Sequence, residues 1–243
     1  MPRFFVDKNA VDGEGVMIKG DDARHIARSL RMAVGDTVTV CDGTGTEYHC
    51  TLARIRDEEC ECRILDTRQG QSEPPVEITL FMAYPKGDKL ETVIQKAVEL
   101  GASRVIPFES SRCIKRPSPE KSDKQTARLS KIAAEAAKQC GRSRLPEVLP
   151  PIKLSELISS IPHFDLSLLC YEDERGTTVK DALKDKKPLS ISVIVGCEGG
   201  FSSEEAKAIS DAGAVSVTLG PRILRCETAP LYALSAISYH FEL

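Results

Sequence analysis

Apolar and polar positions follow two different rhythms along the chain. Up to about residue 70, short apolar runs are separated by turn residues. Thr37-Val-Thr-Val-Cys41 reads as a strand, Asp42-Gly-Thr-Gly45 as a turn, and the chain then runs as a second strand through Ile55. A third strand is expected from Cys60 to Leu65, so hairpins dominate this region. One helix interrupts them, from Asp21 to Leu30. Acidic residues open it, Ala23, Ile26, Ala27 and Leu30 form its apolar face, and Arg24, Arg28 and Arg31 lie opposite. Gln69-Gly-Gln-Ser-Glu-Pro-Pro75 is polar, flexible at glycine and stiffened by two prolines, as a linker is.

From Val76 the rhythm becomes strand, helix, strand. Strands are expected at Val76–Tyr84, Arg104–Phe108, Asp165–Tyr171, Ser190–Gly196 and Ala214–Leu219. Helices are expected at Lys89–Leu100, Ala127–Cys140, Ser202–Ala212 and Thr228–Phe241. Such alternation predicts an α/β domain with a parallel sheet covered on both faces. Ligands of such sheets bind beyond the carboxyl ends of the strands. The expected division is a β-rich domain over residues 1–72 and an α/β domain over residues 73–243.

Composition changes this picture little, and charge distribution changes it more. The 243 residues carry a net charge of −3, yet residues 86–145 hold 14 Lys and Arg against 7 Asp and Glu. A basic block in an acidic protein suits a local anionic partner such as RNA phosphates, and equally a solvated helix face. Nine scattered cysteines show no paired CxxC spacing, which predicts reduced thiols in a cytoplasmic protein, with no metal. The longest uncharged run, Thr228 to Phe241, is 14 residues and too short to span a membrane. The N-terminus lacks the apolar core of a signal peptide.

Three strand ends carry candidate chemistry: Leu168–Glu174, Ile194–Glu205 and Val217–Ile237. Gly196-Cys-Glu-Gly-Gly200 precedes a helix capped by Ser202 or Ser203. It is neither GxGxxG nor a phosphate loop, and Glu198 repels phosphate, so a neutral or cationic cofactor fits better than a nucleotide phosphate. A purely structural glycine turn is an equally good reading of this stretch alone. In the third segment Leu219, Gly220, Ile223 and Leu224 offer apolar walls and exposed backbone. Arg222 and Arg225 bracket Ile223-Leu224, so both are not expected in one pocket. Thr228 is expected to cap the last helix, with Pro230 in its first turn.

"GCEGGFSSEEA" together with "LGPRILRCETA" resembles the paired C-terminal signatures of the SPOUT methyltransferases. "RFFV", "HIARSLRMAVGD", "CDGTG", "PKGDKLETVIQKAVELG", "SRCIKR" and "KIAAEAAKQCGRSRLPEV" extend the likeness over nearly the whole chain. They narrow it to the RsmE type, the 16S rRNA (uracil-N3) methyltransferases. One departure is Cys197, where that family usually has proline; it bears on loop stiffness.

The resemblance implies a SPOUT domain with a deep trefoil knot, preceded by a PUA-like β-barrel that binds RNA. It implies S-adenosyl-L-methionine as cofactor, with S-adenosyl-L-homocysteine as product and no metal. The cofactor-binding residues would be Leu169, Cys170, Tyr171, Gly196, Glu198, Gly199, Gly200, Leu219, Gly220, Ile223 and Leu224. It also implies a homodimer acting on 16S rRNA in the small ribosomal subunit, with neither DNA nor membrane as partner. Methylating uracil N3 requires the imide proton to leave, and the carbonyl oxygens then share negative charge. Arg225 is expected to stabilise that charge; its rival reading is an ion pair with Glu198 or Glu227. Glu227 and water are the alternatives for proton acceptor. Phosphate contacts are expected from Arg3, Arg28, Arg31, Lys86, Arg112, Lys115, Arg116 and Arg142. Other readings are a SPOUT enzyme for ribose 2′-hydroxyls or another base, and a non-catalytic RNA-binding assembly factor. A nucleotide-dependent oxidoreductase lacks its GxGxxG.

Overall fold

The computed structural model describes residues 1–114 and 122–243. Lys115 and Arg116 lie outside the described residues. The chain divides into two compact units, residues 1–73 with 137–145, and residues 74–136 with 146–243. The last turn of a long helix and the loop after it therefore return to the N-terminal unit.

The N-terminal unit holds a six-stranded sheet. Its strands are β1 (Arg3–Phe5), β2 (Val11–Asp12), β3 (Gly15–Lys19), β4 (Thr37–Cys41), β5 (Thr46–Ile55) and β6 (Glu59–Gln69), in the order β1-β4-β5-β6-β3-β2. Only β1 and β4 pair in parallel. Alternate positions of the strands turn inward: Val16 and Ile18, Val38 and Val40, Cys50 and Leu52, Cys60 and Cys62 share one core with Phe4, Ala23 and Ile26. Each large side chain buried there contributes about 1.5–3 kcal/mol.

The expected helix at 21–30 is a short α1 (Asp21–Arg24) followed by a wider turn over His25–Ser29. Leu30 N–H bonds back five residues to the His25 carbonyl at 2.9 Å. This wider winding takes Leu30 off the apolar face expected for it, and the residue is 40% exposed.

Two expected phosphate ligands are built into this unit instead. Arg142 is 3% exposed and grips Glu73 through Nη2 at 2.6 Å and Nε at 3.1 Å. The same carboxylate accepts the backbone N–H groups of Ser143 and Arg144, both at 2.9 Å. Burial raises the Glu73 pKa, but Arg142 and these donors outweigh it, and the net shift is downward. Arg3 donates to Glu47 at 2.7 Å, to Cys41 Sγ at 2.9 Å and to the Arg142 carbonyl at 3.2 Å. Both guanidinium groups are engaged in holding the unit together, which corrects the expectation that they meet phosphate.

The second unit contains a seven-stranded sheet in which every pairing is parallel. Its elements begin with β7 (Glu77–Ala83), α2 (Lys89–Glu99), β8 (Arg104–Glu109) and α3 (Ser122–Cys140). β9 (Glu147–Val148), β10 (Ile152–Lys153), α4 (Leu154–Ser160), β11 (Leu166–Cys170) and α5 (Val179–Leu183) follow. The chain ends with β12 (Ser190–Val195), α6 (Ser203–Asp211), β13 (Val215–Val217) and α7 (Thr228–Glu242). The order is β10-β8-β7-β12-β11-β13, with β9 also on β8. β11 is buried at every position, as a strand covered on both faces must be. No helix among the described residues is long and apolar enough to cross a membrane.

Candidate functional site

Strand order decides where the site lies. Val195 at the end of β12 pairs with Met82 on one side and Cys170 on the other, and Cys170 pairs with Val217. The segments leaving β7, β12, β11 and β13 therefore emerge side by side at one edge of the sheet. A cleft of about 800 Å³ opens among them, a volume within the usual range for small-molecule sites. Ten of the eleven expected cofactor residues line it: Cys170, Tyr171, Gly196, Glu198, Gly199, Gly200, Leu219, Gly220, Ile223 and Leu224. Leu169 is the exception. It sits one residue inside β11, is fully buried, and belongs to the core.

The turn after β12 is compact. Gly200 N–H bonds to the Cys197 carbonyl at 3.0 Å, closing a four-residue turn. A side chain at Gly196 would press on the Gly200 backbone at 3.1 Å. Gly200 itself has φ +62°, and a Cβ there would overlap the Glu172 carboxylate. That carboxylate accepts Phe201 N–H at 3.3 Å. Ser202 then caps α6: its hydroxyl accepts Glu205 N–H at 3.2 Å, and Glu205 returns a bond from Ser202 N–H at 3.0 Å. The second Glu205 oxygen accepts Ser111 N–H at 2.6 Å. Arg112, expected on phosphate, donates to the Gly199 carbonyl at 2.7 Å and so braces this turn.

Cys197 is 6% exposed and lies 3.9 Å from the Ser110 hydroxyl, which also meets Cys113 Sγ at 3.3 Å. The neighbouring Cys197 thiol lowers the Cys113 pKa, and Cys113 in turn raises that of Cys197. A cysteine in place of proline thus links the turn to the segment after β8.

The segment from Thr218 to Glu227 is long and irregular. Thr218 Oγ1 accepts Gly220 N–H at 3.2 Å, and the Arg225 carbonyl accepts Thr228 N–H at 2.8 Å and Ala229 N–H at 2.9 Å. The cap of α7 therefore falls on Glu227, one residue before the expected Thr228. Ile223 is 77% exposed at the cleft, an apolar side chain with nothing packed over it. Arg222 and Arg225 both border the cleft, although their spacing predicted only one. The segment is not a strand, so alternation does not separate them.

Arg225 is exposed and makes no ion pair with Glu198 or Glu227. Both carboxylates go instead to Lys89, the first residue of α2: Glu198 at 2.9 Å and Glu227 at 3.3 Å. Glu227 also accepts the Cys226 thiol at 3.3 Å. Its own backbone N–H, opposed by burial and helped by Cys226 and Lys89, holds its pKa below the ordinary carboxylate value. Burial pushes Glu198 upward, but Lys89 and backbone donors outweigh this and lower it overall. Burial pushes the Cys226 thiol up to about 12, so it remains a thiol. Sequence reasoning assigned no role to Lys89, Glu172, Arg175 or Thr218, all of which line the cleft. Glu172 was within reach, in a strand end already marked as chemical, and Lys89 stands in the quoted "PKGDK".

The donor set suits a small molecule with a cationic centre. It offers apolar walls, backbone groups, and carboxylates at Glu172 and Glu198, without a phosphate-binding loop. Among the described residues no three His, Cys, Asp or Glu side chains gather to hold a metal ion.

A family model described as an RNA methyltransferase domain matches residues 72–238, and one described as an RNA methyltransferase PUA domain matches residues 18–65. The chain is 34% identical to the ribosomal RNA small subunit methyltransferase E of Bacillus subtilis, over 100% of this chain and 98% of that protein. A solved structure of the ribosomal RNA small subunit methyltransferase E of Neisseria gonorrhoeae, bound to S-adenosyl methionine, superposes with TM-score 0.88 at 32% identity. That alignment covers 99% of this chain and 98% of the other. A putative methyltransferase from Legionella pneumophila, in complex with the cofactor SAM, gives TM-score 0.87 at 30% identity over 98% and 97% of the two chains. The chain belongs to the RNA methyltransferase family that includes the ribosomal RNA small subunit methyltransferases E.

Proposed function

We propose that this protein transfers a methyl group from S-adenosyl-L-methionine to N3 of a uridine in 16S rRNA. The observation that carries the reading is the cleft itself: the turn 196–200 and the segment 218–227 wall it, and Arg225, exposed and without an ion pair among the described residues, stands at its rim. Cofactor-bound relatives of about a third identity over almost the full chain support the choice of ligand.

The bound sulfonium supplies an activated methyl group; the chain's own residues do the rest. Ile223, Leu219 and Leu224 offer apolar surface to a flat heterocycle, and the backbone of the 196–200 turn offers polar groups to be read. Glu172 and Glu198 place negative charge beside a cationic centre. The target base must be unpaired, since N3 lies on the pairing edge. Once its imide proton leaves, the Arg225 guanidinium faces the charge shared by the two carbonyl oxygens and stabilises it where it develops. Glu227 or water takes the proton in this reading; the carboxylate is the stronger base of the two, and Lys89 holds it at 3.3 Å. Of the expected phosphate ligands, Arg28, Arg31, Lys86 and Arg112 are exposed, the last with its guanidinium on the Gly199 carbonyl. Arg28 already shares Asp57 at 2.6 Å and must exchange it for phosphate.

The reading extends to a knotted C-terminal segment, to a homodimer, and to the small subunit as the form in which rRNA is presented. Tyr232 and Tyr239 on α7 leave large aromatic surfaces uncovered, as a dimer helix does. The deciding assay incubates the protein with labelled S-adenosyl-L-methionine and small subunits lacking the modification, then digests the rRNA. Label in 3-methyluridine is expected. Label in a 2′-O-methyl nucleoside would move the enzyme to another SPOUT activity, and absence of label despite cofactor binding would favour an assembly factor.

A further inference from the structure

Lys89 meets two segments that the sequence keeps far from its own. It opens α2, directly beyond the carboxyl end of β7. Its Nζ lies 2.9 Å from Glu198 Oε1, 3.3 Å from Glu227 Oε2 and 3.8 Å from Cys226 Sγ. Glu198 belongs to the turn after β12, and Glu227 caps α7 at the end of the segment after β13. The grip on Glu198 is doubled by Lys86, whose backbone N–H donates to the same oxygen at 3.1 Å. Hydrogen bonding to Glu198 raises the Lys89 pKa against a smaller desolvation penalty, so the side chain stays an ammonium and is no proton acceptor.

We infer that Lys89 is a positioning residue for methyl transfer: one ammonium holds Glu198 and Glu227 together and so sets the distance between the two walls of the cofactor cleft. Arg225 lies two residues before Glu227, and its carbonyl is already fixed by the first N–H groups of α7. Holding Glu227 therefore also aims the arginine that meets the substrate. The other contacts described for the two walls each hold one wall and not the other. The turn 196–200 is braced by Arg112 and Glu172, and the 218–227 segment by Thr218 and the start of α7. Lys89 is the side chain that joins Glu198 to Glu227. Without it, two carboxylates that now share a cation would face each other and push the walls apart.

An ordinary exposed ion pair would do less. Lys89 is about a third exposed, and such pairs contribute little to stability. A stability role and a positioning role are therefore separable. The inference rests on the cleft being the S-adenosyl-L-methionine site, so wild-type binding is measured first by calorimetry. Lys89→Gln and Lys89→Arg are then compared for cofactor Kd, for single-turnover transfer at saturating cofactor, and for melting temperature.

Lys89→Gln is expected to weaken cofactor binding on the order of tenfold, and to slow single turnover by a similar factor as Arg225 loses its aim. Its melting temperature should stay close to wild type. Lys89→Arg, whose guanidinium reaches both carboxylates, is expected to recover most of both losses. If wild type binds and methylates while Lys89→Gln matches it within about twofold on both readouts, the inference falls and the function stands. Losses in Lys89→Gln that follow a drop in melting temperature, unrelieved by Lys89→Arg, overturn it as well. A wild-type protein that binds no S-adenosyl-L-methionine overturns the reading of the cleft and this inference with it.

Discussion

The two walls of the cleft are built on opposite physical terms. The turn at 196–200 is held by shape. Its glycines let the backbone close on itself and on Glu172, with Gly200 N–H on the Cys197 carbonyl and the Gly199 carbonyl held by Arg112. The segment at 218–227 is twice as long, carries two exposed arginines, and is tied down mainly at its ends, by Thr218 and by the start of α7. Its α7 end is held by charge as well, through Glu227 and Lys89. A wall set by shape can present a fixed backbone to a bound molecule. A wall set by charge can carry a side chain that acts on the substrate.

The largest effect should come from the charged wall. Arg225→Ala is expected to lower kcat by roughly 10²–10³, the range for losing one preorganised donor at a developing oxyanion. Cofactor Kd should hardly move, because Arg225 faces the base in the proposed arrangement. Arg225→Lys keeps the charge but loses the planar fork, so it should fall between the two. Steady-state kinetics with a parallel binding titration checks this. A lysine variant that binds cofactor normally and works at wild-type rate would remove the role given to Arg225.

The shape-held wall should fail differently, in binding before turnover. Gly200→Ala places an L-residue at φ +62° and a Cβ into the Glu172 carboxylate. The backbone conformation alone costs about 1–2 kcal/mol, which is about tenfold in affinity if relieved by opening the turn. Cofactor Kd is therefore expected to rise by at least that factor, while the rate at saturating cofactor changes less. Adding Glu172→Ala removes the collision but keeps the strain, and should recover part of the affinity. If Gly200→Ala instead cut only the rate, the division of labour between the walls would be wrong.

The same division explains what could be read from the chain. The 196–200 turn is local: a buried strand, small residues, then Ser202 three before Glu205, all within reach of a pattern. The parallel sheet was legible for the same reason, since Leu166–Cys170 and Ser190–Val195 are mostly apolar and bounded by turn residues. Short pieces such as β2 and β10, two residues each, carry no periodicity. Leu169 was misplaced because a strand end taken as a whole includes residues still facing the core. Lys89 had no visible role because its partners are 109 and 137 residues away along the chain. Arg142 looked like one more member of a basic block. Its burial depends on Glu73, at the far end of another segment, and on the return of residues 137–145 to the first unit.

Solution conditions should give the smallest effect, and one confined to the charged wall. Glu198 and Glu227 have pKa values below their ordinary 4.5. A carboxylate whose pKa is depressed on folding contributes above its unfolded value and loses that contribution as pH falls through the folded one. Cofactor affinity should thus be flat from about pH 6 to 8 on account of these groups, and should decline only below the 4.5 of a free glutamate. Salt acts within the working range. Lys89 and both carboxylates are partly exposed, and the screening length shrinks from about 10 Å to about 3 Å between 0.1 and 1 M salt. Over that range wild-type affinity should fall about two- to threefold, within what exposed pairs contribute. In Lys89→Gln the slope should be shallower, because the contact that salt weakens is already gone. Equal slopes in the two proteins would mean that charge does not hold the second wall, and that its shape comes from its ends alone.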